Sequence, residues 1–389
     1  MDVKQLSEKY FEDYAKIRRH LHTYPELSGQ EVETCAYLKK ILDDLGIENQ
    51  VCAKTGLVGL IKGKYPGKTV LLRADIDALP IQETADVDYK SVNDGIMHAC
   101  GHDGHTGGLM GAAMILNELK DNLHGNVKLM LQPAEEIGTG AIDMINEGIL
   151  DNPKVDAAFG IHLRGQMDKG LVGYINGPMM ASVQVFDITI TGKGAHAAHP
   201  QLGIDPIVIA ADTISELQNI VARKIKANEA VVISVTSIQS QTNAYNVIPQ
   251  EVYIKGTVRT LNEEIKKQIP SLMENVLKGQ ALANDSSYTF EIKDLLPVLS
   301  NDKETNKIAI KAMEEIIGKE NIVEMDDPSM GGEDFALIAE KVPTTYLFVG
   351  INEDNINPVH HHPNFQFKDD VLKTSAGILA QCAIDYLND

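Results

Sequence analysis

Met97-His98-Ala99-Cys100-Gly101-His102-Asp103-Gly104-His105-Thr106 packs a thiol, three imidazoles and a carboxylate into ten residues, then runs into the small-residue stretch Thr106 to Leu119. Cys and His two apart reach one metal ion only where the backbone bends, and Gly101 permits the bend. Thr106 to Leu119 reads as a helix, Gly-rich at its start, that can pack closely on a sheet. Short apolar runs lie on both sides of it: Gly56 to Ile61, Thr69 to Arg73, Val127 to Gln132 and Ala157 to Ile161. Strands alternating with helices predict an α/β layer. The other candidate ligands then fall just past strand ends, where such folds place their sites: Glu135 and Glu136 after one strand, His162 after another. A further cluster, His360-His361-His362-Pro363, lies near the far end of the chain.

Upstream, Val3 to Thr23 has helical periodicity, Pro25 breaks it, and a second helix from Glu31 to Leu45 ends at Gly46. From Ser182 the rhythm becomes strand, helix, strand, strand, helix, strand: Val183 to Thr191, Asp205 to Lys226, Ala230 to Ile238, Glu251 to Thr260, Glu263 to Ala283 and Tyr288 to Lys293. That order is ferredoxin-like. It predicts a main domain of residues 1–181 and 297–389 interrupted by an inserted domain of residues 182–296. The main domain resumes with a helix at Asn306 to Ile317 and a strand at Thr345 to Val349.

The chain has 389 residues, 43% of them apolar, and two domains is the prior at that length. Net charge is −20, with 35 Lys plus Arg against 55 Asp plus Glu, and there is no basic stripe to track a phosphate backbone. Nucleic acid is not an expected partner. No apolar run approaches a membrane span, and the polar start of the chain lacks the apolar core of a signal peptide, so a cytoplasmic protein is expected. Four dispersed cysteines, Cys35, Cys52, Cys100 and Cys382, make no disulfide framework and agree with a reducing compartment. Cys35 and Cys382 read as core residues.

Seven ordered stretches carry a family resemblance: Arg18 to Ser28, Arg73 to Pro80, His98 to Thr106, Gln132 to Glu136, Gly192 to Ala198, Met330 to Ala336 and His361 to Phe365. Together they resemble the amidohydrolase branch of the aminoacylase and carboxypeptidase-type metallopeptidases, over nearly the whole chain. The resemblance implies a zinc-peptidase-like catalytic domain, with a central mixed sheet flanked by helices, and an inserted ferredoxin-like α+β domain serving as dimerisation or lid domain. It implies metal-dependent hydrolysis of the amide bond of N-acyl amino acids, N-acetyl or N-benzoyl, with dipeptidase, carboxypeptidase or N-acetyl-diaminopimelate deacetylase activity as alternatives.

Position by position, the resemblance implies two divalent metal ions per subunit, Zn, Mn, Co or Ni, held by Cys100, His102, Glu136, His162 and His361, with Glu135 as general base. Asp77 would orient a ligand. His196 would contact the transition state, supplied by the partner subunit of a homodimer formed through the inserted domain. The residues alone leave other readings open. Cys100 with a nearby His would suit a cysteine hydrolase, and a non-catalytic binding protein could keep the scaffold. Asp75 and Asp77 fit a strand-end turn, Glu333 and Asp334 fit a polar lining near the site or helix capping, and His98, His105, His360 and His362 fit supporting roles around the ligands. Two positions depart from the branch's pattern. After His162 the branch often carries an aromatic residue and a proline, where this chain has Leu163-Arg164-Gly165-Gln166. Pro200 is followed by Gln201 rather than His. Both departures bear on substrate preference.

Overall fold

The computed structural model describes residues 2–388. The chain divides into two compact units, one of Met1–Met179, Ser300–Asp327 and Asp334–Asp389, the other of Met180–Leu299 and Pro328–Glu333. The short segment Pro328–Glu333 belongs with the inserted unit although it lies far downstream in sequence.

The first unit opens with helix α1 (Val3–Thr23), started by a capping box in which Asp2 and Gln5 serve each other's backbone N–H. Helix α2 (Val32–Asp44) and strands β1 (Glu48–Cys52), β2 (Gly56–Lys62) and β3 (Tyr65–Asp75) follow. Helix α3 (His102–Leu119), β4 (His124–Gln132), β5 (Ala157–Asp168) and β6 (Val172–Tyr174) complete the first segment. These strands, with Ile322–Glu324 and Thr344–Asn352, form one eight-stranded mixed sheet, in the order β1, β2, β4, β3, β5, Thr344–Asn352, β6, Ile322–Glu324. The central four, β4, β3, β5 and Thr344–Asn352, run parallel, so their carboxyl ends open on the same edge.

Helices α1, α3 and Val371–Asn388 pack together beside this sheet. Their closeness depends on α3's small residues: a Cβ at Gly111 would lie 2.7 Å from the Ala376 Cβ, and one at Gly108 would lie 2.8 Å from the Ser375 Cβ. Two of the element boundaries that differ from the sequence expectation bear on the site. Helix α3 begins at His102 rather than Thr106, because Gly101 takes a left-handed φ of 87° and its carbonyl accepts from Gly104 and His105 N–H. Strand β5 runs to Asp168 rather than ending at Ile161, because its pairing with Thr344–Asn352 continues past His162 to Arg164 and, after a register shift, to Asp168. His102 and His105 therefore sit on the first helical turn, and His162 sits inside a strand.

The inserted unit is a four-stranded antiparallel sheet in the order Val231–Ser240, Glu251–Thr260, Ser182–Thr191, Ser287–Leu296. Helices Pro206–Arg223 and Glu263–Ala283 share its core, with Ile209 and Leu217 from one and Ile269 and Met273 from the other packed on Phe186, Ile188 and Ile254. This is the ferredoxin-like order. Among the described residues no helix is long and apolar enough to cross a membrane.

Candidate metal centre

Two strand ends, one position inside β5 and one helix start deliver the site. Strand β3 ends in Asp75 with Asp77 just beyond, β4 ends in Gln132 before Pro133-Ala134-Glu135-Glu136, and α3 begins with His102. The segment before α3 pairs with the distant histidine cluster, since His361 N–H donates to the Ala99 carbonyl at 2.8 Å. Ligating atoms of Cys100, His102 and His162 lie within 4.8 Å of one another, as do those of Cys100, Glu136 and His361, and those of His102, Glu135 and Glu136. The structure thus brings Cys100, His102, Glu135, Glu136, His162 and His361 into one cluster.

His102 is fixed from behind. Its Nδ1 lies 3.0 Å from the Asp77 carbonyl and 3.1 Å from Asp77 Oδ1. The other carboxylate oxygen of Asp77 accepts from Ser28 Oγ at 2.7 Å and from the Glu136 N–H at 3.0 Å. One buried carboxylate therefore sets the ring of His102 and the backbone of Glu136 together, the kind of outer support metal ligands need. His102 Nε2 faces the cluster, 3.8 Å from Glu136 Oε1 and 4.0 Å from Glu135 Oε2. Both His102 Nε2 and Glu136 Oε1 are buried without a hydrogen-bond partner. Buried polar atoms are rarely left so. Two lone-pair donors converging beside a thiol and further imidazoles fit a divalent metal.

The pKa shifts follow the same geometry. Burial opposes charge on His102, but Asp75 and the Asp77 hydrogen bond outweigh it and push the imidazole well above its ordinary value. Burial pushes the Cys100 thiol up, and burial with neighbouring His105 and His360 pulls His162 well below its ordinary value. His162 Nδ1 sits 2.5 Å from the Leu163 carbonyl, which leaves Nε2 facing Cys100 Sγ at 3.7 Å. A neutral His is ready to ligate, whereas the thiol must lose its proton to a bound cation. The Glu136 carboxylate, 3.5 Å from His361 Nε2, raises the pKa of that exposed imidazole.

The remaining histidines have other work. His105 Nδ1 lies 2.6 Å from Asp75 Oδ1 while its Nε2 accepts the Leu163 N–H at 3.0 Å, so both nitrogens are engaged. His360 Nε2 accepts the Gly165 N–H at 3.2 Å, and His362 Nδ1 accepts the Asn364 N–H at 3.1 Å. His98 is wholly buried, and burial draws its pKa down to about 4. His196 stands in the inserted unit on the short strand Ala195–His196, paired with Val247–Ile248, and its Nδ1 accepts the Ala198 N–H at 3.1 Å.

Two supports were not legible as such. Asp75, although burial works against its charge, is held well below the usual carboxylate range by His102, His105 and Arg73. Buried Arg73 bonds Asp75 at 2.8 Å, Gln132 at 2.9 Å and Asp334 at 3.0 Å, and Asp334 also accepts the Ala141 N–H at 3.1 Å. Asp334 therefore ties β3 and β4 to helix Gly140–Asn146. Glu31 is the second support. Fully buried, it accepts the Ala134 N–H at 2.8 Å and the Gly29 N–H at 2.9 Å on one oxygen and the Thr55 hydroxyl at 2.7 Å on the other. Ala134, at a left-handed φ of 52°, is the residue that turns the chain into Glu135. Glu31→Ala is expected to lower unfolding free energy by about 1–3 kcal/mol, the cost of an orphaned buried donor, and to lower kcat with it. Glu31→Gln should recover most of both, since its amide oxygen still accepts from Ala134. Denaturant titration alongside steady-state kinetics checks this.

Fold and donor set together mark a metallohydrolase. The family model described as peptidase family M20/M25/M40 matches residues 71–385. The chain is 40% identical over 370 residues to N-acetylcysteine deacetylase of Bacillus subtilis (strain 168), covering 95% of each chain. It is 37% identical over 397 residues to thermostable carboxypeptidase 2 of Saccharolobus solfataricus, covering 100% of this chain and 98% of that one. The crystal structure of the Bacillus subtilis YXEP protein, described as a dinuclear metal binding peptidase from the M20 family, superposes with a TM-score of 0.85 at 37% identity, covering 98% and 99% of the two chains. This chain belongs to peptidase family M20/M25/M40 and is a hydrolase of amide bonds.

Proposed function

We propose that the chain hydrolyses the amide bond of N-acyl amino acids, releasing a carboxylate and a free amino acid, at a centre of two divalent ions. Cys100, His102, Glu136, His162 and His361 would hold the ions, Asp77 would orient His102, and Glu135 would act as general base. The observation that carries this reading is the pair of buried, unpartnered donors, His102 Nε2 and Glu136 Oε1, facing one another beside Glu135. Divalent ions supply Lewis acidity, acidifying water and polarising an amide carbonyl. Glu135, on the turn that Glu31 braces, accepts the proton of the attacking water and returns it to the departing nitrogen. Thiol and imidazole donors suit Zn, and carboxylates also accept Mn, with Co and Ni as further occupants. Likeness to a deacetylase of N-acetylcysteine favours N-acetyl substrates, and likeness to a carboxypeptidase keeps peptide cleavage as the second reading.

The test is a panel of N-acetyl and N-benzoyl amino acids and dipeptides, each assayed with Mn, Zn, Co and Ni. Faster turnover of N-acyl amino acids supports the proposal. Turnover confined to peptides with a free amino terminus would replace it with the peptidase reading.

Four cysteines without a disulfide, one of them a proposed thiolate ligand, favour a reducing cytoplasmic location. We also infer a homodimer through the inserted unit, whose edge strands Val231–Ser240 and Ser287–Leu296 each leave one side unpaired in its sheet. In it, exposed His196 would donate a hydrogen bond to the developing oxyanion in the partner's centre. Mixing inactive His196→Ala with inactive Glu135→Gln should then restore activity, because one heterodimer site holds both groups intact. Verified subunit exchange with no recovery would confine His196 to its own subunit.

A further inference from the structure

Resting on the reading just given, we propose that Arg164 selects substrates carrying a second carboxylate, beyond the α-carboxylate of the amino acid. Arg164 lies two residues past His162 on β5, and alternate residues of a strand share a face. One ring confirms the placement. Phe348, in register with His162 on the neighbouring strand, has its centroid 6.4 Å from the His162 ring and 4.4 Å from the Arg164 guanidinium carbon. The next residue is clamped to the ligand-bearing loop, because Gly165 donates to His360 and a Cβ there would lie 1.8 Å from the Pro358 carbonyl oxygen. The guanidinium is thus held on the face that presents His162.

Arg164 is half-buried, and burial lowers its pKa while Asp327 acts in the opposite sense. It forms no hydrogen bond or ion pair with any described residue within normal reach, so its fork of five donors is unspent on protein. That fork matches a carboxylate bidentately. A cation here also answers a global problem, because a doubly anionic substrate must approach a chain of net charge −20.

The second carboxylate can belong to the amino acid side chain or to the acyl group. Two pairs of metal-loaded assays separate these sources: N-acetyl-L-glutamate against N-acetyl-L-glutamine, and N-succinyl-L-leucine against its terminal amide. In at least one pair the acid should have a kcat/KM about 10- to 100-fold above its neutral partner, as a charge-assisted bidentate contact gives. Arg164→Met should remove that preference while leaving N-acetyl-L-methionine within about twofold. Calorimetric binding of glutarate against glutaramate gives a second readout that needs no turnover, and the preference for glutarate should vanish in Arg164→Met. Equal treatment of acid and amide in both pairs by the wild type would overturn the proposal. So would an Arg164→Met defect as large on N-acetyl-L-methionine as on the acids, which would assign the α-carboxylate to Arg164. Failure to cleave any N-acyl amino acid would instead refute the function proposed above, and glutarate binding would still decide the role of Arg164.

Discussion

Dialysis against a strong chelator is expected to take turnover below detection, and returning Mn or Zn should restore it. The expectation follows from the composition of the cluster: burial keeps the proton on the Cys100 thiol although His162 Nε2 lies 3.7 Å from its Sγ, so the thiol is a weak nucleophile and the proposed hydrolysis depends on the metal. A cysteine hydrolase would respond differently, since a thiol nucleophile works without metal. Elemental analysis beside each assay checks the result. Full turnover by protein shown to be metal-free would return Cys100 to the role of nucleophile.

Glu135→Gln is the second large effect. The change keeps the shape of the side chain and removes its basicity, so kcat should fall by on the order of 10² or more while bound metal stays near the wild-type level. Glu136→Gln should do the opposite and lose metal first, because Glu136 Oε1 faces both His102 Nε2 and His361 Nε2. Equal metal loss in both variants would mean that the two adjacent glutamates share the ligand role.

The apolar rhythm made most of the architecture legible. Helices α1 and α2 and the ferredoxin-like order of the inserted unit lie where periodicity places them, because each buries one face and leaves the other in water, and strand β2 lies where its apolar run places it, buried on both faces. Two of the misplaced boundaries lie at the site. Gly, His and Asp are poor helix formers, so the first turn of α3 is invisible to propensity and is imposed by Gly101 and by burial on all sides. The apolar run of β5 ends at Ile161 in the sequence because Arg164, Gln166 and Asp168 are polar, although Leu163, Gly165 and Met167 alternate with them as buried residues. Motif residues could be named from the sequence. Asp77 could be named with them, but the pairings of the other supports could not, because Glu31 meets Ala134 across 103 residues and Arg73 meets Asp334 across 261, and no local pattern announces such a pairing.

Anomalous diffraction from crystals loaded with Mn or Zn tests the central claim most directly. The account predicts two peaks about 3.5–4 Å apart, enclosed between Cys100, His102, Glu136, His162 and His361, with Glu135 beside them and free of direct ligation. A lone peak on Asp75 and His105, or no peak within ligand distance of Cys100 and Glu136 in fully active protein, would contradict it.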